Sequence, residues 1–93
     1  MGFDPINDKA LEEQLVKDLQ AGEVNSFEQL ANLYQKKIYT LSFNLTRNAI
    51  DSQDVTQEVL LTLFKKGHTF QGKTAFSSWV YCITVNTSYM NLR

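Results

Sequence analysis

Helices alone, about four of them in one compact bundle, are what this sequence predicts. Three observations lead there. Apolar residues recur at three- and four-residue steps along most of the chain. No stretch keeps the two-residue alternation of a half-buried strand. Turn-forming residues stand between the apolar stripes rather than inside them. The 93 residues suit one domain, and 43% hydrophobic with 12% aromatic content supports a packed core rather than a disordered chain.

Residues 1–7, which include the only proline, Pro5, read as a frayed or artificially added start, with the domain spanning 8–93. The first helix is expected to begin near Asn7 or Asp8, either of which can cap free N–H groups. It carries Leu11, Leu15 and Leu19 on one side and stops at Gly22. Asn25 with Glu28, and Ser26 with Gln29, offer two overlapping cap signals for a second helix running to about Thr46. Its stripe is Phe27, Leu30, Tyr34, Ile38, Leu41 and Leu45. Asp51 is expected to cap the third helix, with Asp54 in its first turn, Lys65 and Lys66 near its end and Gly67 closing it. The fourth helix is expected to start at Thr74 or shortly after, with Phe76, Trp79, Val80, Ile83, Thr87 and Met90 on one face.

Charge and cysteine content narrow the function. A net charge of −1 argues against a protein that grips duplex DNA by phosphate contacts alone. Residues 1–50 hold five basic and seven acidic side chains, and residues 51–93 hold four and three, so only the second half leans basic. The single cysteine, Cys82, excludes an internal disulfide, and its position in mid-helix predicts a buried or half-buried thiol. No charged-then-apolar leader opens the chain and no apolar run is long enough to cross a bilayer, so a soluble cytoplasmic protein without membrane insertion is the expectation. Catalysis finds no support: His68 is the only histidine, and no cation within a turn activates Cys82. Asp51, Asp54 and Glu58 have no second acidic cluster to complete a metal shell. No cofactor, metal or enzymatic role is expected.

Two constellations remain. Asp54, Gln57 and Glu58 lie on one helix face, either as a solvated, dipole-complementing surface or as a docking surface for basic residues of a partner helix. The segment from Phe70 to Asn86 combines rings, a flexible Gly72-Lys73 turn and hydrogen-bonding groups, which suits unstacked bases better than an intact duplex. Phe76 and Trp79 are expected in the core, with Trp79 mainly buried. Phe70, in a loop, is either a plug on the bundle or a stacking platform. Asn86 needs partners if buried and can read a base edge if exposed.

The run Asp51-Ser52-Gln53-Asp54-Val55-Thr56-Gln57-Glu58-Val59, then Phe70-Gln71-Gly72-Lys73-Thr74-Ala75-Phe76, Trp79-Val80-Tyr81-Cys82-Ile83 and Val85-Asn86, resembles region 2 of the extracytoplasmic-function (ECF) sigma factors of bacterial RNA polymerase. The Ala21-Gly22-Glu23 turn, Phe27 and the stretch from Leu33-Tyr34 to Ile38-Tyr39 fit the same family, so the likeness covers about residues 11–93. The resemblance implies that Asp54, Gln57 and Glu58, with Leu61 as an apolar neighbour, dock on the clamp-helix coiled coil of the polymerase's largest subunit. It implies that the loop and fourth helix open the promoter's minus-ten element and capture a flipped non-template base. Phe70 and Asn86 would then form the pocket, Gln71, Gly72, Lys73 and Thr74 its wall, with Phe76 and Trp79 beside it. Base extrusion costs a few kcal/mol, recoverable through stacking and edge hydrogen bonds.

The chain departs from the family where basic residues are common: Cys82 follows the Trp-Val-Tyr motif, and Thr87, Ser88 and Tyr89 follow Asn86. Val80 stands for a common leucine and Leu60 for a common phenylalanine. The family's minus-thirty-five-reading module is absent, and the fourth helix has no stop signal before Arg93, so an isolated domain or one cut from a longer chain is expected. An anti-sigma protein is an implied regulator. The rival reading is a protein-interaction module of the same fold that makes no DNA contact.

Overall fold

The boundaries between the first three helices have local causes. The structure, a computed structural model, describes residues 9–91, so the expected caps Asn7 and Asp8 lie outside the described residues. Helix α1 (Lys9–Gln20) ends where Gly22 takes a φ of 91°. The Gly22 N–H donates to the Leu19 carbonyl at 3.0 Å and the Glu23 N–H to the Asp18 carbonyl at 3.0 Å, satisfying two orphan carbonyls. That turn leads straight into α2 (Val24–Thr46), capped by the extended backbone of Glu23 without a side-chain hydrogen bond. The expected caps at Asn25 and Ser26 are therefore corrected: both lie inside the helix, and Ser26 is buried.

Arg47 ends α2 in the left-handed conformation, φ 58°, with its N–H donating to the Phe43 carbonyl at 2.8 Å. Asn48 then caps α3 (Ala49–Lys66) by accepting from the Asp51 N–H at 2.9 Å. Asp51 is thus a first-turn residue rather than the cap, and Asp54 falls in the second turn. Lys65 and Lys66 occupy the last turn as expected. Gly67 is not a left-handed exit. It keeps right-handed backbone (φ −57°) and opens a 3₁₀ turn, Gly67–Thr69. Space explains the glycine, because a Cβ there would stand 2.7 Å from the Leu19 side chain. Helix α4 spans Phe76–Asn91, slightly later than expected.

Helix α2 is the hub, packing against α1, α3 and α4, while α3 and α4 also pack together. Leu15, Leu19, Leu30, Tyr34, Ile38, Val55, Val59, Leu63, Phe76 and Val80 form the core. The buried line of α4 is Phe76, Ser77, Val80, Thr84 and Ser88, so the expected face is rotated and Met90 is exposed. Small hydroxyl side chains let the helices approach closely while bonding within their own helix. Thr84 donates to the Val80 carbonyl and Ser88 to the Thr84 carbonyl, each at 2.8 Å. Thr56 and Ser52 do the same in α3. Leu11, expected inward, is exposed. At the centre, the fully buried Tyr34 hydroxyl donates to Glu12 Oε1 at 2.7 Å, tying α1 to α2. Burial pushes the phenol far above the ordinary tyrosine value, and the hydrogen bond and charge of Glu12 push the same way.

Candidate functional site

Two outward faces carry the sequence-predicted residues. On α3 the buried side chains are Ser52, Val55, Thr56, Val59 and Leu63. The opposite side of that helix presents Ile50, Asp54, Gln57, Leu61 and Phe64, all exposed. These residues alternate steps of four and three, the spacing of a seam that meets another helix side by side. Ile50 is 71% exposed, Leu61 51% and Phe64 50%, an unusual apolar content for a solvent face. Asp54, Gln57 and Leu61 lie on this seam and Glu58 flanks it, so α3 brings all four expected docking residues to one surface. Ile50 and Phe64 were missed in the sequence, where an inward role is the default for large apolar residues; their seven-residue spacing from Gln57 was the available signal.

An open groove of about 590 Å³ separates this seam from α2. Phe27, Ala31, Leu60 and Phe64 line its apolar end, where the Phe27 and Phe64 rings meet edge to face with centroids 5.1 Å apart. A second hollow of about 420 Å³ further along the same two helices is lined by Asn32, Gln35, Lys36, Tyr39, Gln53, Thr56 and Gln57. Gln57 borders both. The α2–α3 side of the molecule therefore offers apolar and amide groups together.

The second face comprises loop 70–75 and the outer side of α4. Phe70 is half-buried and packs against two other rings, Phe76 at 5.3 Å and Trp79 at 5.0 Å. Phe76 is buried and also touches Trp79 and Tyr34, so it carries the cluster from below. Trp79 packs against the core with only part of its indole open to solvent, in keeping with the expected mainly buried ring. Phe70 therefore plugs against the Phe76 and Trp79 rings while keeping part of its surface open to solvent. Gln71, Gly72, Lys73 and Thr74 are exposed, and Gly72 needs its positive φ of 76° for the loop to turn.

Asn86 is exposed, seven residues beyond Trp79 on α4. Seven residues is close to two turns, which returns Asn86 to the same side of the helix about 10 Å further along. Phe70 packs on Trp79 near the start of α4, and Asn86 lies about two turns further along that helix. Cys82 is exposed between them, contrary to the expected burial, because the inward line of α4 runs through Val80 and Thr84 instead. Lys73 is the sole charged residue from Phe70 to Asn91. Among the described residues no group of histidine, cysteine, aspartate or glutamate side chains could hold a metal ion, and no helix is long and apolar enough to cross a membrane.

The family model described as Sigma-70 region 2 matches residues 30–93. The chain belongs to the sigma-70 region 2 family. Named relatives point to the ECF branch. The chain is 35% identical over 81 residues to the RNA polymerase sigma-H factor of Pseudomonas aeruginosa, covering 87% of this chain and 42% of that one. It is 35% identical over 78 residues to the ECF RNA polymerase sigma-E factor of Haemophilus influenzae, covering 83% and 40%. With the ECF RNA polymerase sigma factor SigW of Bacillus subtilis it shares 26% identity over 78 residues, covering 84% and 42%. The chain spans about two fifths of the length of these relatives. As a region 2 domain it puts the matched motifs on two different surfaces: Asp54, Gln57 and Glu58 on α3, Phe70 to Asn86 on the loop and α4.

Proposed function

We propose that this domain acts in the cytoplasm as the part of an ECF sigma factor that joins core RNA polymerase to the promoter's minus-ten element. The observation that carries the proposal is the separation of two outward faces of different chemistry on one helical core. The α3 seam of Ile50, Asp54, Gln57, Leu61 and Phe64, flanked by Glu58, meets the clamp-helix coiled coil of the largest polymerase subunit. Its four-and-three spacing supports a helical partner, and Asp54 and Glu58 supply acceptors for basic groups. An anti-sigma protein that covers this seam would hold the factor inactive. The domain works by binding and positioning, not by catalysis.

Loop 70–75 and the outer strip of α4 hold the melted non-template strand. Phe70 and Trp79 supply a stacking surface for one extruded base, and the Asn86 amide takes the edge of another further along the strip. Phe76 supports the rings, Gln71 to Thr74 form the wall, and Lys73 meets a phosphate. The Trp79–Asn86 span of about 10 Å exceeds the repeat of one strand, about 3.4 Å when stacked, so two stations fit better than one pocket. Binding of labelled single-stranded oligonucleotides tests this. Phe70→Ala and Asn86→Ala should each weaken binding about ten-fold, since a base–aromatic stack or a good edge contact is worth ~1–3 kcal/mol. The rival, an interaction module without DNA contact, draws on the uncharged α4. It gains if both variants bind as the parent does.

A further inference from the structure

The end of α1 holds the loop from behind. Gln20 Nε2 donates to the Phe70 carbonyl at 2.6 Å, joining residues fifty positions apart. The Phe70 N–H donates in turn to the Gly67 carbonyl at 3.1 Å. Both main-chain groups of Phe70 are thereby occupied, immediately before the exposed stretch Gln71–Ala75. One residue before Gln20, the Leu19 side chain closes over Gly67 so tightly that a Cβ there would sit 2.7 Å away. Helix α1 therefore grips the chain at Gly67 by packing and at Phe70 by a hydrogen bond. Neither α1 residue belongs to the two outward faces.

We propose that Gln20 is a positioning residue: its side-chain amide latches the backbone at Phe70 and so fixes the Phe70 ring against Trp79. The inference rests on the reading of loop 70–75 as strand-binding and adds what orders it. A ring held in place before the strand arrives loses less freedom on binding than one that must be ordered then. Gln20 is half-buried and the loop beyond it is open to water, so the hydrogen bond sets loop geometry more than it holds the core together.

Trp79 is the only tryptophan, and its ring centroid lies 5.0 Å from that of Phe70, so its fluorescence reads the latch without any DNA. Two variants of the whole chain address the amide. Gln20→Ala removes it, and Gln20→Glu keeps the shape while turning an acceptor toward the Phe70 carbonyl. Both should shift Trp79 emission toward that of Phe70→Ala. Both should bind a labelled single-stranded oligonucleotide of about ten nucleotides roughly five-fold more weakly, the worth of one hydrogen bond. Thermal midpoint and affinity for core polymerase should stay at parent values, which a merely stabilising residue would not allow. Parent-like emission and parent-like strand affinity in both Gln20 variants would overturn the latch. If Phe70→Ala itself left strand affinity unchanged, the strand-binding reading would fall instead, and the emission of the Gln20 variants would still judge the latch.

Discussion

The outer sides of α3 and α4 are both solvent-facing helix surfaces, yet they are built differently. The α3 seam mixes large apolar side chains with carboxylates and an amide, and a wide groove runs beside it. The α4 strip has no charge, two half-buried rings at one end and a single exposed carboxamide two turns away. A surface of the first kind gains from covering apolar area and pairing charge with another protein. A surface of the second kind gains from stacking and edge hydrogen bonds, which unpaired bases supply. On the proposed reading each face takes one partner, and each can be broken separately.

The largest effect is expected on α3. Leu61→Asp buries a charge in the middle of the seam and should weaken binding to core polymerase at least 30-fold, about 2 kcal/mol, as truncation of a central anchor does elsewhere. Leu61 is exposed in the free domain, so the melting temperature should change little. Polymerase titration together with a thermal melt checks both.

Salt sharpens the contrast with a smaller effect. Lys73 is the one cation between Phe70 and Asn91, so strand binding releases few counterions. Its log affinity should fall with log salt at a slope shallower than about −2, near −0.7 for each phosphate neutralised. Fluorescence anisotropy from low to moderate salt measures the slope, and a steep one would point to Lys65, Lys66 and further basic groups as strand contacts.

A still smaller effect should strike both faces together, through the core they share. Tyr34 is buried with its hydroxyl on Glu12, and its phenol proton is held far more tightly in the folded chain. The unfolded chain releases that proton near the ordinary tyrosine value of about 10, the folded chain only well above it. The stabilisation is therefore complete below about pH 10 and is lost as pH rises beyond it. Thermal midpoints from pH 8 to 11 (about three units, spanning the tyrosine range) should fall more steeply for the parent than for Tyr34→Phe.

The fold was legible in the sequence because four stripes at helical spacing, punctuated by Gly22, Asp51 and Gly67, left few alternatives. Boundaries were legible only in part. Ser26 and Asp51 look like caps, yet a Schellman-type turn at Gly22 and the Asn48 side chain had already started those helices. The rotation of α4 was hidden because its inward line is half hydroxyl: Ser77, Thr84 and Ser88 are polar in sequence but satisfied within their own helix in the fold. That Asp54, Gln57 and Glu58 share one exposed surface of α3 could be read from their spacing. Ile50 and Phe64 were marked only by their seven-residue spacing from Gln57, because exposure of a large apolar side chain is decided by neighbours. Gln20 had no signal at all, since its partner is fifty residues away.

Two variants titrated against two ligands test the division of labour most directly: Leu61→Asp and Phe70→Ala, each with core polymerase and with a single-stranded oligonucleotide. The expected result is a clean crossing, in which Leu61→Asp loses polymerase and keeps the strand while Phe70→Ala loses the strand and keeps polymerase. Loss of both ligands by either variant, at an unchanged melting temperature, would contradict the account.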